Sequence, residues 1–480
     1  MHEVKNYIGG GFHDAASGEK IKVFNPATNE QLGSAPKSGN EEVDQAVKAA
    51  EEAFPKWEAI PADQRADYLR IMADLIFKDL GRLAKLESDD TGKPVWLSES
   101  VDIPRGARNL KFFASAAEQF SSESHQTDKE ALNYTLRNPV GIAGCISPWN
   151  LPLYLFTWKI APALAAGNCV IAKPSELTPM TAFELAKIAD QAGLPKGVLN
   201  ILHGLGNEAG QAIVEHPSIT AISFTGGTET GKSIARTAGP MFKKLSLELG
   251  GKNPTIIFDD CDKEEAIKTS IRAAFANQGE ICLCGSRILV HENIYDQVKL
   301  GFINAINQWV TGDPLDRNVK SGAMISRDHM EKVQSYLSLA KEEGGEILAG
   351  GETIQPEGRC AKGNFMRPAV IEGLPQECRT NREEIFGPVA TLIPFKDEKE
   401  AIEKANDTNY GLSASVWTND LGKAQRVTQQ LESGIIWVNC WLLRDLRTPF
   451  GGMKQSGVGR EGGEEAMRFF TEPKNVCIKW

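Results

Sequence analysis

Two cysteines, Cys282 and Cys284, lie two residues apart in the stretch FANQGEICLCGS at 275–286. A thiol attacks carbonyl groups as its thiolate, and an ordinary cysteine is only about a few per cent thiolate at neutral pH. A catalytic cysteine therefore needs a nearby base or surroundings that lower its pKa. The candidate base is Glu248, which ends an apolar run just before two glycines. The alternative is that both cysteines are buried core residues and that Glu248 is structural.

The segment SFTGGTETGKSIA at 223–235 leads from an apolar strand pattern through glycines into a helix pattern. In a doubly wound sheet, the phosphates of a nucleotide bind at such a point, against backbone N–H groups at a helix N-terminus. The spacing of Gly226, Gly231 and Lys232 also matches a Walker A loop, and a plain tight turn is a third interpretation. The spacing alone leaves the three interpretations nearly equal.

Lys173 and Glu176 follow the apolar run CVIA at 169–172. They are therefore expected at the carboxyl end of a strand, the edge where open α/β sheets bind ligands. A glutamate at that edge accepts hydrogen bonds from ribose hydroxyls and repels a 2′-phosphate. The alternative is a solvated loop that contains an incidental Lys–Glu pair.

The composition is that of an ordinary soluble globular protein, with 41% hydrophobic and 24% charged residues. Its 480 residues predict two large lobes, because a domain usually holds about 100 to 200 residues. The net charge of −10 and the scattered basic residues disfavour a nucleic-acid or membrane partner. The charged N-terminal residues and the interrupted apolar run at 151–172 predict neither export nor a membrane span, so we expect a cytoplasmic protein.

The nine cysteines are an odd number in a long chain, which favours reduced thiols over a disulfide framework. Cys282 and Cys284 are separated by one residue, whereas zinc sites favour a gap of two to four residues and a second ligand pair. We therefore expect no metal site.

The elements that must position these residues follow from hydrophobic spacing. Apolar residues at helical spacing predict helices at 41–54, 63–78 and 97–119. Short apolar runs then recur every 22 to 29 residues, a cadence that predicts βαβ units in a mostly parallel, doubly wound sheet. These runs lie at 140–146, 169–172, 197–202, 219–224 and 244–247.

A second α/β pattern begins after the glycine pair at 250–251, with strands predicted at 255–258 and 286–290. One helix start is marked by Thr178, whose hydroxyl is expected to cap the helix that begins near Pro179 and stops at Gly193.

Seven motifs occur in a fixed order along the chain, and this ordered set resembles the aldehyde dehydrogenase superfamily from end to end. They are PWN (148–150), KPSE (173–176), FTGGTETG (224–231), LELGGKNP (247–254), NQGEIC (277–282), EEIFGPV (383–389) and PFGGMKQSGVGREGG (449–463). Each motif alone is weak, but the set is very specific. The resemblance implies a doubly wound Rossmann-like NAD-binding domain, an α/β catalytic domain and a small β oligomerisation extension.

The same resemblance implies domain boundaries and an assembly. The NAD-binding domain is expected to comprise 1–123 and 139–250, and the catalytic domain 251–440. The extension and the C-terminal segment are expected at 124–138 and 441–480. The family also implies a homodimer or homotetramer assembled through the extension.

Carried onto this chain, the resemblance makes Cys282 the nucleophile, Cys284 a structural neighbour and Glu248 the general base that activates the deacylating water. It makes Asn150 the donor to the oxyanion, together with the backbone N–H of Cys282. The positions that match cofactor contacts are Trp149, Lys173, Ser175, Glu176, Gly226, Gly227, Glu384 and Phe386. The implied reaction is the NAD-dependent oxidation of an aldehyde to a carboxylic acid through a thiohemiacetal and a thioester. The Walker A interpretation is thereby disfavoured.

Two residues depart from the family pattern. Gly227 replaces a common serine, which removes a hydroxyl contact to phosphate. Glu280 replaces the more common glutamine and is expected to disfavour the Cys282 thiolate unless its side chain points away. Two other functions remain open, a thiol-dependent esterase or acyl transferase without redox chemistry and a catalytically silent binding protein.

Two arginines, Arg105 and Arg444, bear on the substrate. Their surroundings resemble the subgroup that acts on 2-aminomuconate and 2-hydroxymuconate semialdehydes, which carry a carboxylate remote from the aldehyde. Two guanidinium groups can hold such a carboxylate in fork geometry. Arg447 is the substitute candidate for Arg444. The alternative is that both arginines are solvated or pair with Asp102 and Asp445.

Overall fold

The structure, a computed structural model, describes residues 1–480 and contains two large sheets flanked by helices. The first sheet has five parallel strands in its middle and antiparallel strands at both edges. In spatial order its strands are Gly457–Val458, Lys244–Glu248, Ile219–Thr225, Ile142–Ile146, Cys169–Lys173, Leu199–Ile201, Asn6–Ile8 and Gly11–His13. The five parallel strands coincide with the five predicted runs, so the doubly wound α/β fold is confirmed.

The parallel strands of this sheet end at a common edge. Ile146 pairs in register with Lys173 on one side and with Phe224 on the other. Thr225 pairs with Glu248 in the next strand. The turns that follow these strands therefore converge, which is where doubly wound sheets bind ligands.

The second sheet is parallel except for one edge strand. In spatial order its strands are Glu346–Gly350, Ala369–Glu372, Val389–Phe395, Gly285–His291, Asn253–Ile257, Ser413–Trp417 and Ile435–Val438. The first two strands of this sheet along the chain are Asn253–Ile257 and Gly285–His291. Their bounds match those of the predicted strands within three residues at each end. Both are fully or largely buried, as the unbroken apolar pattern of parallel strands requires.

Helices cover the two sheets and bury their apolar faces against them. The helices are Asn40–Glu58, Ala62–Lys78, Leu80–Thr91, Val95–Leu97, Ile103–Gln119, Pro152–Ala165, Met180–Gln191, Gln211–Glu215, Thr228–Ala238, Lys263–Phe275, Tyr295–Asn307, Arg327–Glu342, Arg379–Arg382, Glu398–Asn406, Leu421–Gln430 and Gly463–Phe469. The largest core lies between the first sheet and its helices, and it includes the wholly buried helix Pro152–Ala165.

A separate three-stranded antiparallel sheet is formed by Ser124–Thr127, Ala131–Pro139 and Thr471–Lys479. Most of its side chains are exposed or half-buried. Helix Gly463–Phe469, which precedes the last strand of this sheet, packs against helices Ile103–Gln119 and Pro152–Ala165 and contributes Met467 to the largest core. The division of the chain into domains stays a prediction.

The remaining short strands form small sheets at the periphery. They are His2–Glu3, Lys20–Phe24, Gln31–Pro36, Thr353–Ile354, Phe365–Met366, Tyr410–Gly411 and Met453–Lys454. No helix of the structure combines the length and the apolar character that crossing a membrane requires.

The predicted cap at Thr178 is wrong. The helix begins at Met180, and the Thr178 hydroxyl donates instead to the carbonyl oxygen of Trp149 at 3.4 Å. The Met180 N–H is bound by Asp90 Oδ2 at 3.0 Å, from a side chain far away in sequence. The predicted stop is confirmed, because Gly193 follows the helix with a left-handed φ of 71°.

Candidate active site

The loop that carries Cys282 has an unusual backbone. Helix Lys263–Phe275 ends, and the chain then passes through Asn277, Gln278 and Gly279 with φ angles of 50°, 56° and 70°. A Cβ atom at Gly279 would lie 2.2 Å from the carbonyl oxygen of Gly387, so only glycine fits there. This tight passage delivers Cys282 to the space between the two sheets.

Cys282 is half-buried and lines two cavities, whereas Cys284 is buried and lines neither. The first cavity has a volume of about 230 Å³ and lies at the carboxyl edge of the first sheet. The second has a volume of about 340 Å³ and is mostly apolar. The Cys282 thiol is therefore placed where a nucleotide on one side and a substrate on the other can meet it.

The charge state of Cys282 follows from its surroundings. Burial, followed by the nearby carboxyl groups of Glu384 and Glu248, raises the pKa of the Cys282 thiol above its ordinary value. The resting group at neutral pH is therefore the thiol, and its proton must leave when the sulfur attacks.

The Glu280 side chain does not add a charge beside Cys282. Its Oε1 accepts a hydrogen bond from the Ile325 N–H at 3.2 Å and lies 3.8 Å from His329 Nε2. Burial raises the pKa of Glu280 well above its ordinary value. The expected penalty on the thiolate is thus avoided by the direction of the side chain, which points to the Ile325 N–H.

The wall of the first cavity suits the nicotinamide half of a dinucleotide. Glu384 Oε1 accepts a hydrogen bond from the Gly251 N–H at 2.9 Å, which fixes the carboxyl group at the cavity. Phe386 packs edge-on against Trp149, with ring centroids 5.4 Å apart. These groups offer a hydrogen-bond acceptor for ribose hydroxyls beside aromatic walls for a flat ring.

The glycine turn of the same cavity suits a pyrophosphate. A Cβ atom at Gly227 would meet nothing within 4 Å, so the backbone faces open space where helix Thr228–Ala238 begins. The Thr225 hydroxyl lines the cavity, is buried and has no hydrogen-bond partner. Free N–H groups at a helix N-terminus and an unpartnered hydroxyl are what a phosphate group would use. The residues present therefore fit a dinucleotide.

The Walker A interpretation fails on the position of Lys232. Its ammonium pairs with Glu229 at 2.8 Å on the exposed face of the helix. It therefore does not face the turn at which a phosphate would lie.

The residues expected to contact the adenosine lie beside one another, at the end of strand Cys169–Lys173 and in the turn that follows it. The Lys173 ammonium is 3.1 Å from Glu176 Oε2, and burial lowers the pKa of Lys173. Ser175 Oγ accepts a hydrogen bond from the Leu177 N–H at 3.2 Å. None of the three lines the cavity at Cys282, as expected of the far end of a long dinucleotide.

Sequence reasoning missed two residues of the first cavity, His329 and Lys332. Both come from helix Arg327–Glu342, whose sequence reads as an ordinary amphipathic helix. His329 Nε2 lies 2.7 Å from the carbonyl oxygen of Phe386, and burial lowers the pKa of His329 to about 4. The imidazole is therefore neutral, and its Nε2–H donates to that carbonyl.

Glu248 lines the second cavity together with Cys282. Its Oε1 is buried and has no donor. Burial, and then the carboxylate of Glu461, raise the pKa of Glu248 well above its ordinary value. A carboxylate that is poorly solvated in this way is a stronger base than an ordinary glutamate, which suits the activation of water.

A buried ion pair, Lys159 with Glu461, lies near Glu248. The Lys159 ammonium is 2.7 Å from Glu461 Oε1, and both lie 3.2 Å from the Ser223 hydroxyl oxygen. Sequence reasoning missed the pair, although Lys159 interrupts an apolar run and thereby gives a signal. Its partner is 302 residues away, which no local pattern reveals.

Asn150 lies between the two sheets, beside Cys282 in the first cavity. One hydrogen of its side-chain amide is donated to the carbonyl oxygen of Glu280 at 2.9 Å, which leaves the second hydrogen free. The backbone N–H of Cys282 makes no hydrogen bond within the protein. Two free donors in one cavity form the arrangement that an oxyanion requires.

The two candidate arginines are placed differently. Arg444 lines the second cavity with Cys282, and its Nη1 donates to the Tyr154 hydroxyl at 2.8 Å. Arg105 does not line that cavity, but its guanidinium lies 5.2 Å from the ring centroid of Tyr154 and its Nη2 has no partner. Tyr154 therefore lies between the two guanidinium groups.

The alternative pairings of the arginines are wrong. Asp102 pairs with the buried Lys93, and Asp445 pairs with Arg447 at 2.6 Å on the exposed surface. Arg444 thus has no carboxylate partner, and Arg447, already paired, is a poor substitute for it.

Comparison with known proteins shows which family has this arrangement of residues. A model of the aldehyde dehydrogenase family matches residues 12–476. The chain is 48% identical over 480 residues to the 2-aminomuconic semialdehyde dehydrogenase of Danio rerio, covering 99% of this chain and 98% of the relative. It is 44% identical over 485 residues to the 2-hydroxymuconic semialdehyde dehydrogenase of Pseudomonas sp. (strain CF600), covering 100% of both.

The solved structures agree. The NAD+ complex of an aldehyde dehydrogenase from Bacillus cereus matches with a TM-score of 0.97 at 38% identity, covering 100% of this chain and 97% of that chain. A nucleotide cavity and an apolar cavity that share one cysteine define a class of cofactor-dependent thiol oxidoreductases. The chain belongs to the aldehyde dehydrogenase family. It is an oxidoreductase that acts on aldehydes with NAD as its cofactor.

Proposed function

We propose that this enzyme oxidises a short unsaturated semialdehyde with a carboxylate at its far end, a 2-aminomuconate or 2-hydroxymuconate 6-semialdehyde, to the corresponding diacid. The observation that carries the proposal is Arg444, a guanidinium without a carboxylate partner in the cavity that also exposes Cys282. The names of the relatives that are 48% and 44% identical support the same substrate class.

The reaction begins with attack by Cys282 on the aldehyde carbon, which forms a thiohemiacetal oxyanion. We assign the two free donors beside the sulfur to this oxyanion, the second amide hydrogen of Asn150 and the backbone N–H of Cys282. Both donors are held by the fold before the substrate arrives, so little reorganisation accompanies the attack.

The first cavity holds the cofactor in this proposal, with Gly226 and Gly227 at the pyrophosphate and Glu384 and Phe386 at the nicotinamide ribose and ring. Trp149 forms the facing wall, and Lys173, Ser175 and Glu176 hold the adenosine ribose. When bound, NAD supplies the acceptor for a hydride. The protein holds the Cys282 thiol next to the space for the cofactor, because the thiol lies at the junction of the two cavities.

Glu248 completes the cycle by taking a proton from the water that hydrolyses the Cys282 thioester. Its buried and unpartnered Oε1 faces the cavity in which the acyl group remains. The hydrolysis releases the acid as its carboxylate and frees the Cys282 sulfur.

The first prediction tests the substrate. Arg444→Ala should raise KM for hydroxymuconate semialdehyde by about 10- to 100-fold, as expected for loss of a charge-assisted hydrogen bond. It should change KM for a neutral aldehyde such as hexanal much less. The wild-type enzyme should use hexanal poorly. Steady-state kinetics with both aldehydes provide the measurement.

Arg447→Ala is the matched control, because Arg447 is an exposed arginine three residues away that is already paired with Asp445. It should leave both KM values near those of the wild type. Arg105→Ala should also raise KM for hydroxymuconate semialdehyde far more than for hexanal, because a rotation of Tyr154 lets both guanidinium groups meet the carboxylate. Equal kcat/KM of the wild type for hexanal and hydroxymuconate semialdehyde would overturn the substrate assignment.

The second prediction concerns the coenzyme. The carboxylate of Glu176 next to Lys173 should repel a 2′-phosphate, so the enzyme should prefer NAD to NADP. Glu176→Gln should narrow that preference roughly tenfold by removing the repulsion while keeping a hydrogen-bond acceptor. The ratio of kcat/KM for the two coenzymes is the readout. Comparable values of kcat/KM for NAD and NADP in the wild type would show that Glu176 does not lie beside the adenosine ribose.

The same proposal extends to assembly. The sheet of Ser124–Thr127, Ala131–Pro139 and Thr471–Lys479 has an exposed edge strand and exposes Leu136 and Ile478. Exposed apolar side chains beside an open strand edge are typical of an interface. We infer a homodimer or homotetramer assembled through this sheet. The cytoplasmic location stays a prediction.

A further inference from the structure

A buried cluster of ionisable side chains, Glu87, Lys93 and Asp102, lies against the loop that carries Asn150 and has no part in the mechanism above. Lys93 and Asp102 form a short salt bridge, with side chains 0% and 1% exposed. A buried ammonium is costly unless its remaining hydrogens are also bound. The other hydrogen-bond partner of the Lys93 ammonium therefore shows which part of the chain this lysine holds in place.

That partner is the main chain of Asn150. The Lys93 ammonium donates to the carbonyl oxygen of Asn150 at 2.8 Å. The side-chain amide of Asn277 donates to the same oxygen at 3.3 Å. The Leu153 N–H, three residues further on, is bound by Glu87 Oε2 at 3.2 Å. The cluster thus holds the backbone directly after the Asn150 side chain, from the Asn150 carbonyl to the Leu153 N–H.

The charges of the cluster balance one another. Glu87 Oε1 and Asp102 Oδ1 are buried without a donor from elsewhere in the protein. Burial raises the pKa of Glu87 to about 8, so at neutral pH Glu87 keeps its proton and can donate it to Asp102. One positive charge on Lys93 and one negative charge on Asp102 remain, and they neutralise each other.

We propose that Lys93 is a positioning residue for the oxidation step, because its ammonium, oriented by Asp102, holds the main chain of Asn150 so that the side-chain amide meets the oxyanion. This inference rests on the proposed role of Asn150. An oxyanion donor acts through a fixed distance, so a small displacement of its peptide costs rate even when the donor itself is present.

The variant Lys93→Met/Asp102→Asn tests the inference, since it removes both charges together and leaves no lone buried ion. The measurement is the pre-steady-state burst of NADH at saturating NAD and saturating semialdehyde. We expect a burst slower by on the order of 10². KM for NAD and the rate of Cys282 alkylation by iodoacetamide should stay near the wild-type values. Asp102→Asn alone keeps the bond from Lys93 to Asn150 and should slow the burst less, and its unfolding temperature is measured as well because the Lys93 charge is then unpaired.

A double-mutant cycle with Asn150→Ala separates positioning from general stability. If Lys93 acts through Asn150, adding Asn150→Ala to the paired variant should slow the burst little further. If the paired variant and Asn150→Ala slow the burst by factors that multiply, the inference is overturned while the role of Asn150 stays in place. A normal burst in Asn150→Ala alone would overturn the proposed role of Asn150 and the inference with it. The same cycle with Lys93→Gln, a neutral donor of shorter reach, decides the question if the paired variant does not fold.

Discussion

Cys282→Ser should abolish dehydrogenase turnover, with kcat lower by on the order of 10⁴ or more, as is typical for loss of a nucleophile. The serine hydroxyl ionises far less readily than a thiol, and the burial that already raises the pKa of Cys282 would raise that of the hydroxyl as well. NADH formation from a saturating aldehyde, followed at 340 nm, is the measurement.

Cys284→Ala is the control that the sequence itself provides. Cys284 lines neither cavity, and its Sγ lies 3.9 Å from the carbonyl oxygen of Ala276, within the core. We expect this variant to keep most of its turnover. Mass spectrometry of the protein treated with a thiol-directed inhibitor should find the adduct on Cys282. An adduct on Cys284, or an active Cys282→Ser enzyme, would show that the nucleophile is assigned wrongly.

Much of the fold could be predicted because parallel strands buried on both faces give unbroken apolar runs. The runs at 169–172 and 219–224 became strands Cys169–Lys173 and Ile219–Thr225. These strands end at the edge where doubly wound sheets bind ligands, so the position of Lys173 and Gly226 at that edge could be predicted without any knowledge of long-range contacts. The expectation that these residues bind NAD came from the resemblance of the ordered motifs, because the spacing around Gly226 alone left three interpretations open.

The missed features depend on contacts between residues distant in sequence. The cap of the helix at Met180 comes from Asp90, so the nearby Thr178 was a misleading local signal. The direction of the Glu280 side chain is set by the Ile325 N–H, 45 residues away. Such polar contacts follow from the packing of whole elements and leave no periodic trace in the sequence.

The two lysines of the buried pairs illustrate the same limit. Lys93 gives no sequence signal of burial, because lysine is rarely buried unless it is paired, and Lys159 is marked only by its place in an apolar run. Lys159 pairs with Glu461, and Lys93 with Asp102. The residue type alone could not assign them to the site.

Glu248→Gln should retain a burst of NADH and then stall, because the amide cannot deprotonate the water that hydrolyses the thioester. We expect kcat to fall by roughly 10² to 10⁴, the usual contribution of a general base. Intact-mass measurement during turnover should reveal an acyl group on Cys282. Burial raises the pKa of Glu248, so wild-type deacylation should increase with pH through a value above that of an ordinary glutamate. The variant should lack that increase.

Glu461→Gln is the matched control, because Glu461 is a second carboxyl group in the same cavity that is bound by Lys159. Removing its charge takes away one of the causes that raise the pKa of Glu248. The pH at which deacylation increases should therefore move down, while the burst stays and no acyl group accumulates. A burst lost in Glu248→Gln would instead place Glu248 at the attack step, where it would take the proton of the Cys282 thiol. An acyl group that accumulates only in Glu461→Gln would transfer the role of base to Glu461.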